Sequence, residues 1–265
     1  MSATWTGWAA DGWRGRRRGD AALDVDACLA AVASGAGRTS RHARSVRVGD
    51  VFVKHYPAPA AHRARRACAM GEALVAAGFA APAALLVATR GREGLLITAD
   101  AGGEDLETLV AGLARAGAAG RRAKRGLLRA LGDAVGRLHA AGFVHGDLVP
   151  PNLRWRDGAP VFLDNDRTRR LPGAWGGRRN LVQLGRFVVP GVTATDRARV
   201  LAAYAAARGL SRRARRGLAR WLVGKVTARR CAIDHIAPEA AARAGFRELM
   251  RAGGPFDPRV ARGPA

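Results

Sequence analysis

The sequence predicts an α+β chain: a small antiparallel sheet carrying one helix, a short connector, and a larger, mainly helical part. Three observations carry this. Residues 45–56, SVRVGDVFVKHY, alternate around Gly49-Asp50 in the manner of a β-hairpin with a tight turn. Two short apolar runs, AALLVA (83–88) and GLLITA (94–99), flank the breaker segment TRGRE and read as two more strands. Beyond ADAGGED the periodicity changes, and Leu127, Leu131, Val135 and Leu138 form a stripe at helical spacing.

Taken in order, residues 1–38 form an N-terminal extension with no predicted structure. Its tryptophans Trp5, Trp8 and Trp13 suit docking on the body of the protein better than a membrane interface. Residues 39–99 form the sheet-plus-helix part. In its hairpin Val51, Val53 and His55 point one way, and Phe52, Lys54 and Tyr56 the other, because strand side chains alternate. A helix is expected from about Ala60 to Ala77, ended by Gly78. Residues 100–265 form the helical part, with a helix from about Arg121 to Ala141 whose apolar stripe is core. Two short strands follow at 153–155 and 160–163, joined by a turn at Asp157-Gly158, and then Arg-rich amphipathic helices.

Composition bounds the function. With 48% hydrophobic and 25% charged residues, 265 residues can bury a core. The amino terminus lacks a continuous apolar segment and no run is long enough to span a bilayer, so a cytoplasmic protein is expected. Cys28, Cys68 and Cys231 are widely spaced without a CxxC pair, which argues for free thiols over disulfides or a zinc site. His42, His55, His62, His139 and His235 show no metal-ligand spacing. The net charge of +24 is uneven: residues 178–265 hold 19 Lys and Arg against five acids, which predicts an anionic partner. No zinc finger, RNP-like strand or basic-aromatic interleaving accompanies it, so nucleic acid is not that partner.

The chemistry is concentrated in HGDLVPPNLRW, residues 145–155. His145, Asp147 and Asn152 form an H-x-D-x-x-x-x-N pattern, a hairpin follows, and Asp164 comes twelve residues after Asn152. Phosphoryl transfer needs one carboxylate to take a hydroxyl proton, and an amide oxygen with a second carboxylate to hold Mg²⁺ against nucleotide phosphates. It also needs an upstream strand lysine: Lys54 is the sole lysine among the first 123 residues. Glu72 is the only acid between Lys54 and Glu93, placed to pair with that lysine from the following helix. His145 reads as a brace of the loop, and Asp166 with Arg167 as a local ion pair.

Lys54, Glu72, HGDLVPPN and LDNDR (163–167), with LLITADAGGEDLETLV and RRNLVQLGRF (178–187), resemble the lipopolysaccharide core kinase family, which phosphorylates Kdo or heptose sugars. The resemblance covers about residues 40–210. It implies a two-lobed protein-kinase-like fold and ATP-dependent transfer to a sugar hydroxyl, with ATP and Mg²⁺ as cofactors. By it Asp147 is the general base, Asn152 and Asp164 are metal ligands, Lys54 contacts the α/β-phosphates, and Glu72 positions Lys54. The stretch from Ile97 through Ala99 to Ala101 carries the backbone that reads adenine. The implied partner is an anionic glycolipid or sugar, with peripheral association at the cytoplasmic face of the inner membrane; oligomeric state is left open. Gly146 and the short interval from Asp164 to LPGAW leave no phosphorylated activation segment to sense.

Two departures stand out. Asn165 occupies a place the family gives to an apolar residue, and no GxGxxG precedes the hairpin, where Gly35, Gly37, Arg38 and Arg41 stand instead. Two other functions share part of the pattern. Aminoglycoside- or choline-type phosphotransferases surround cationic substrates with acids, which are scarce after residue 166. A non-catalytic kinase-like binding protein would not need the full set Lys54, Glu72, Asp147, Asn152 and Asp164.

Overall fold

The structure is a computed structural model that describes residues 4–19, 23–40, 42–171, 176–251 and 253. It divides into two compact units. The first takes the chain up to Gly102 together with Val161–Arg169; the second takes Gly103–Pro160 and the chain from Arg170 on.

The first unit is built on seven antiparallel strands. In chain order they and their helices are β1 (Trp5–Ala10), β2 (Trp13–Arg18), α1 (Val25–Ala33), β3 (Arg38–Thr39), β4 (Arg44–Val48), β5 (Val51–Tyr56), α2 (Ala61–Ala76), β6 (Ala84–Arg90) and β7 (Glu93–Ala99). The strand order is β1-β2-β6-β7-β5-β4-β3. The β4–β5 hairpin turns at Gly49, whose φ of 55° suits a residue without Cβ, and sets Ser45 opposite Lys54. Alternation then divides β5 between two cores. Val53 packs with Trp13, Cys28 and Leu86 under α1, while Tyr56, on the same face as Lys54, packs with Ala64, Ala67 and Cys68 of α2.

The described part of the segment left without structure from sequence forms two strands and a helix, and begins a third strand. Asp11-Gly12, both at positive φ, close a two-residue turn that pairs Ala10 with Trp13, and β2 pairs with β6 to widen the sheet. Helix α1 is capped by Asp24, which accepts from the Ala27 N–H. The unit therefore has two helices where one was expected. Both signals were present in the sequence: a D-G dipeptide, and Val25, Cys28, Leu29 and Val32 at helical spacing.

The second unit contains β8 (Glu104–Asp105), α3 (Leu106–Arg115), α4 (Gly117–Ala140), β9 (Phe143–Val144), β10 (Leu153–Arg156), the start of β11 (Ala159–Phe162) and the end of β12 (Arg169–Arg170). Then come α5 (Gly177–Gly185), α6 (Ala194–Ala207), α7 (Arg212–Asp234) and α8 (Pro238–Leu249), the last broken at Gly245. The predicted stripe Leu127, Leu131, Val135 and Leu138 is buried. Glycines on α4 bring α6 close: a Cβ on Gly132 would lie 2.2 Å from the Val200 carbonyl oxygen. Beside them Lys124 Nζ, buried, donates to Asp196 Oδ2 at 2.8 Å. Burial pushes the Asp196 carboxyl up, and its bonds from Lys124 and Thr193 more than reverse this, holding it low. Of the described residues, no helix is long and apolar enough to cross a membrane.

Candidate active site

The first unit holds one half of the predicted set. Asp164 follows β11 with φ 56° and ψ 58°, a left-handed conformation that costs a non-glycine residue on the order of 1 kcal/mol and persists only where its surroundings impose it. Here they do. Asn165 is buried; its Nδ2 donates to the Phe162 carbonyl at 2.9 Å, and its Oδ1 accepts from Thr168 Oγ1 at 3.1 Å. Phe162 N–H donates to the Ala80 carbonyl at 2.9 Å. The asparagine that departs from the family pattern thus ties the turn by hydrogen bonds where an apolar residue would pack.

Held this way, the Asp164 carboxylate accepts a hydrogen bond from Lys54 Nζ, whose ammonium also lies 5.2 Å from the Tyr56 ring centroid. Asp166 is buried and pairs with Arg63 of α2 at 3.4 Å, so the expected local pair with Arg167 does not form. Burial, reinforced by the neighbouring Asp164 charge, pushes the Asp166 carboxyl up against the opposing pull of Lys54 and Arg63. The two aspartates and two cations form one local network.

Glu72 is not in it. Its Oε1 accepts from Trp5 Nε1 at 2.7 Å, Arg16 lies 3.3 Å from its Oε2, and Arg18 lies 3.8 Å from its Oε1. Arg16 stacks on the Trp5 ring at 4.5 Å. The expected Lys54–Glu72 pair is therefore replaced by two others: Asp164 takes the lysine, and the N-terminal hairpin takes the glutamate. Its physical cause is the β1–β2 hairpin, which carries an indole N–H and two guanidinium groups to Glu72.

The stretch expected to read adenine has part of its backbone bonded within the sheet. Ile97 sits in the ladder between Val53 and Leu86, the Ala99 N–H donates to the Ala83 carbonyl, and the Asp100 N–H donates to Asp50. Ala101 is buried just beyond the strand. In the predicted phosphate cover, Gly35 and Gly37 have φ of 73° and 95°, and Arg41 lies outside the described residues, as do residues 172–175 of LPGAW.

The second unit holds the other half, on the loop after β9. The Asp147 N–H donates to His145 Nδ1 at 3.2 Å, and Asn152 Nδ2 donates to the Asp147 carbonyl at 2.9 Å and, more weakly, to its Oδ2 at 3.5 Å. Helix α5 supplies the rest. Asn180 Oδ1 accepts from the His145 N–H at 3.0 Å and its Nδ2 donates to the His145 carbonyl. Gln183 Nε2 donates to the Gly146 carbonyl at 3.1 Å and to Asp147 Oδ1 at 3.3 Å, while its Oε1 accepts from the Leu148 N–H at 3.3 Å. A single helix face thus binds the backbone on both sides of Asp147 and one of its carboxylate oxygens. Behind it His139, fully buried, donates Nε2–H to Asn180 Oδ1, since an amide oxygen only accepts, and takes the Tyr204 hydroxyl on Nδ1, each at 3.1 Å.

Asn180 and Gln183 are the functional residues that the sequence reading missed. The signal was present: two amide side chains three apart on a helix that also carries Leu181 and Leu184, an arrangement that sets amides on or beside an apolar face. Among the described residues, no group of three or more His, Cys, Asp and Glu side chains forms a metal cluster.

Comparison with known proteins bears on this arrangement. The model of the lipopolysaccharide kinase (Kdo/WaaP) family matches residues 25–204. The structure resembles WaaP solved in complex with acyl carrier protein, at 24% identity and TM-score 0.59 over 76% of this chain and 91% of that one. An aminoglycoside-3'-phosphotransferase of type VIII aligns at 16% identity and TM-score 0.45 over 76% of this chain and 98% of that one. A 37-residue stretch is 54% identical to a probable bifunctional tRNA threonylcarbamoyladenosine biosynthesis protein of Methanoculleus marisnigri, spanning 14% of this chain and 7% of that protein.

Proposed function

Since the chain belongs to the lipopolysaccharide kinase (Kdo/WaaP) family and has a kinase-like fold, we propose that it transfers the γ-phosphoryl group of ATP to a sugar hydroxyl of an inner-core acceptor, Kdo or heptose. The observation that carries this reading is the restraint on Asp147. A general base must be aimed at the proton it takes, and Gln183 and Asn152 each hold one of its carboxylate oxygens while Asn180 fixes the loop backbone. Asp147 accepts the acceptor hydroxyl proton as the oxygen attacks phosphorus.

Lys54 contacts the α/β-phosphates, leaving Asp164 as it engages the nucleotide. Asn152 and Asp164 each carry an oxygen donor of the kind Mg²⁺ takes, and would be its ligands. Asn152 commits its Nδ2 to Asp147, so its carbonyl oxygen would be the donor, and Asp164, held by its turn, would offer a carboxylate oxygen. Bound there, the ion would neutralise phosphate charge. Glu72 has no part in this account beyond bracing the N-terminal hairpin. The protein would work peripherally at the cytoplasmic face of the inner membrane, where its acceptor is presented.

The test is incubation with labelled ATP, Mg²⁺ and a panel of purified lipid A-core precursors. Label is expected on the inner-core sugar of at least one precursor. Label on none of them, with turnover on a soluble aminoglycoside or choline, would replace this reading.

A further inference from the structure

Helix α2 grips the turn around Asp164 from both of its ends, and every contact involved lies within the first unit. Past its C-terminal end, the Phe79 ring meets the Phe162 ring edge to face at 6.2 Å, Ala80 bridges to Val161, and the Ala80 carbonyl accepts from the Phe162 N–H. These contacts fix the chain just before Asp164. At the start of the helix, Arg63 Nη1 donates to Asp166 Oδ2 at 3.4 Å and fixes the chain just after it.

The Arg63 contact is a specific one. A guanidinium in the first turn opposes the helix dipole, and α2 has neither an acid there nor a side-chain cap to offset it. Arg63 is nonetheless turned inward, its side chain 22% exposed, toward a carboxylate that is 6% exposed. Arg65 and Arg66 of the same helix are exposed. A buried carboxylate without its partner would be strongly unfavourable, so the pair holds both residues in place.

Two further observations give the pair a function. Glu72, the α2 acid expected to couple the helix to Lys54, is taken by Trp5, Arg16 and Arg18. Among the described residues this leaves Arg63 as the charged α2 side chain engaged with Lys54, Asp164 and Asp166. Second, Lys54 is the cation on Asp164 here, and in the kinase reading it moves to phosphate when nucleotide binds. The left-handed turn at Asp164 then rests on the bonds of Asn165 and on the Arg63–Asp166 pair.

We infer that Arg63 is a positioning residue of the phosphoryl-transfer site: through Asp166 it holds the turn that carries Asp164, and ties α2 to the metal end of the site in place of a Lys54–Glu72 pair. Arg63 touches neither substrate nor metal. This rests on the reading of Asp164 as a metal ligand and deepens it by naming the side chain that keeps the ligand aimed.

The experiment compares the full chain with R63Q, R63K, D166N and R63Q combined with D166N, and with R66Q, which removes an exposed charge from the same helix. Calorimetry gives ATP affinity with and without Mg²⁺. Hydrogen exchange gives the protection of amides 163–168 without any ligand, and the melting temperature follows the fold. R63Q is expected to keep metal-free ATP affinity within about two-fold and to lose about 10-fold or more of the affinity that Mg²⁺ adds, the usual effect of removing a group that orients a metal ligand. Its amides 163–168 should exchange faster. R63K should recover part of the loss, and R66Q should match the wild type. The double variant leaves no buried charge unpaired, so its melting temperature should return toward that of the wild type. Its Mg²⁺ response should stay as poor as that of either single variant, because both substitutions cut one connection. An unchanged Mg²⁺ response in R63Q, a response restored along with stability in the double variant, or losses that multiply would overturn the inference and leave the kinase reading standing. No ATP binding by the wild type would remove that reading and this inference with it.

Discussion

Glu72 stands eighteen residues after Lys54, an offset that fits a strand-lysine partner, yet its carboxylate accepts from Trp5 and faces Arg16 and Arg18. The sequence could not reveal this, because the competitors for the glutamate come from more than fifty residues upstream. Glu72→Gln should therefore leave ATP affinity within about two-fold and lower stability by about 1 kcal/mol, the usual worth of a partly exposed charged contact. Calorimetric ATP titration and chemical denaturation check both; a tenfold loss of ATP affinity would return Glu72 to Lys54. His139 is a second residue whose surroundings matter more than its spacing. Burial pushes its pKa down to about 4, the Asn180 contact partly opposing this and the Arg208 charge adding to it. The unfolded chain binds a proton near 6.5 and the folded chain does not. Its contribution is thus complete above about pH 6.5 and is lost as pH falls toward 4, by up to about 3 kcal/mol. Unfolding free energies at pH 7 and 4.5 should differ less in His139→Gln than in the wild type, and equal differences would refute the assignment.

At the scale of elements, the strands, turns and longest helix were legible because each rests on a local signal: alternation in β5, Gly49 at its turn, the stripe on α4. What was not legible depends on a neighbour. Gly132 and Gly136 interrupt α4 and weaken it in isolation, but they let α6 approach until a Cβ at Gly136 would lie 2.6 Å from that of Ala207. Alanine at Gly132 would gain about 1 kcal/mol of helix propensity and meet a backbone oxygen that cannot move without its helix, at a cost of about 1–3 kcal/mol or more. Gly132→Ala should therefore be net destabilising in urea denaturation; unchanged or raised stability would show that the helices separate freely. Helix α5 makes the same point for function. RRNLVQLGRF was recognisable as the post-catalytic helix, but the hydrogen bonds of Asn180 and Gln183 to residues 145–148 need the loop in three dimensions.

At the scale of the whole molecule, the family and fold class were readable from a handful of polar residues, since phosphoryl transfer restricts their types and order more than it restricts the core. The charge of +24 was readable as a sum but not as a surface. On α7, Arg212, Arg213, Arg215, Arg216 and Arg220 are exposed, and none is paired among the described residues. Basic residues near an anionic leaflet contribute about 1 kcal/mol each, so reversing Arg212, Arg213, Arg215 and Arg216 to Glu should release the protein from anionic liposomes. ATP affinity should not change. Salt should imitate the variant, as exposed charges are screened over about 8 Å at physiological ionic strength; wild-type retention on liposomes by the variant would assign the charge to composition alone. The central claim is that Asp147, held by α5 and Asn152, is the base of a sugar kinase. Its most direct measurement is the turnover of Asp147→Asn on a lipid A-core acceptor, with ATP binding followed in parallel. Loss of about 10² to 10⁴ in kcat with ATP affinity retained is the predicted result; turnover comparable to the wild type would contradict it.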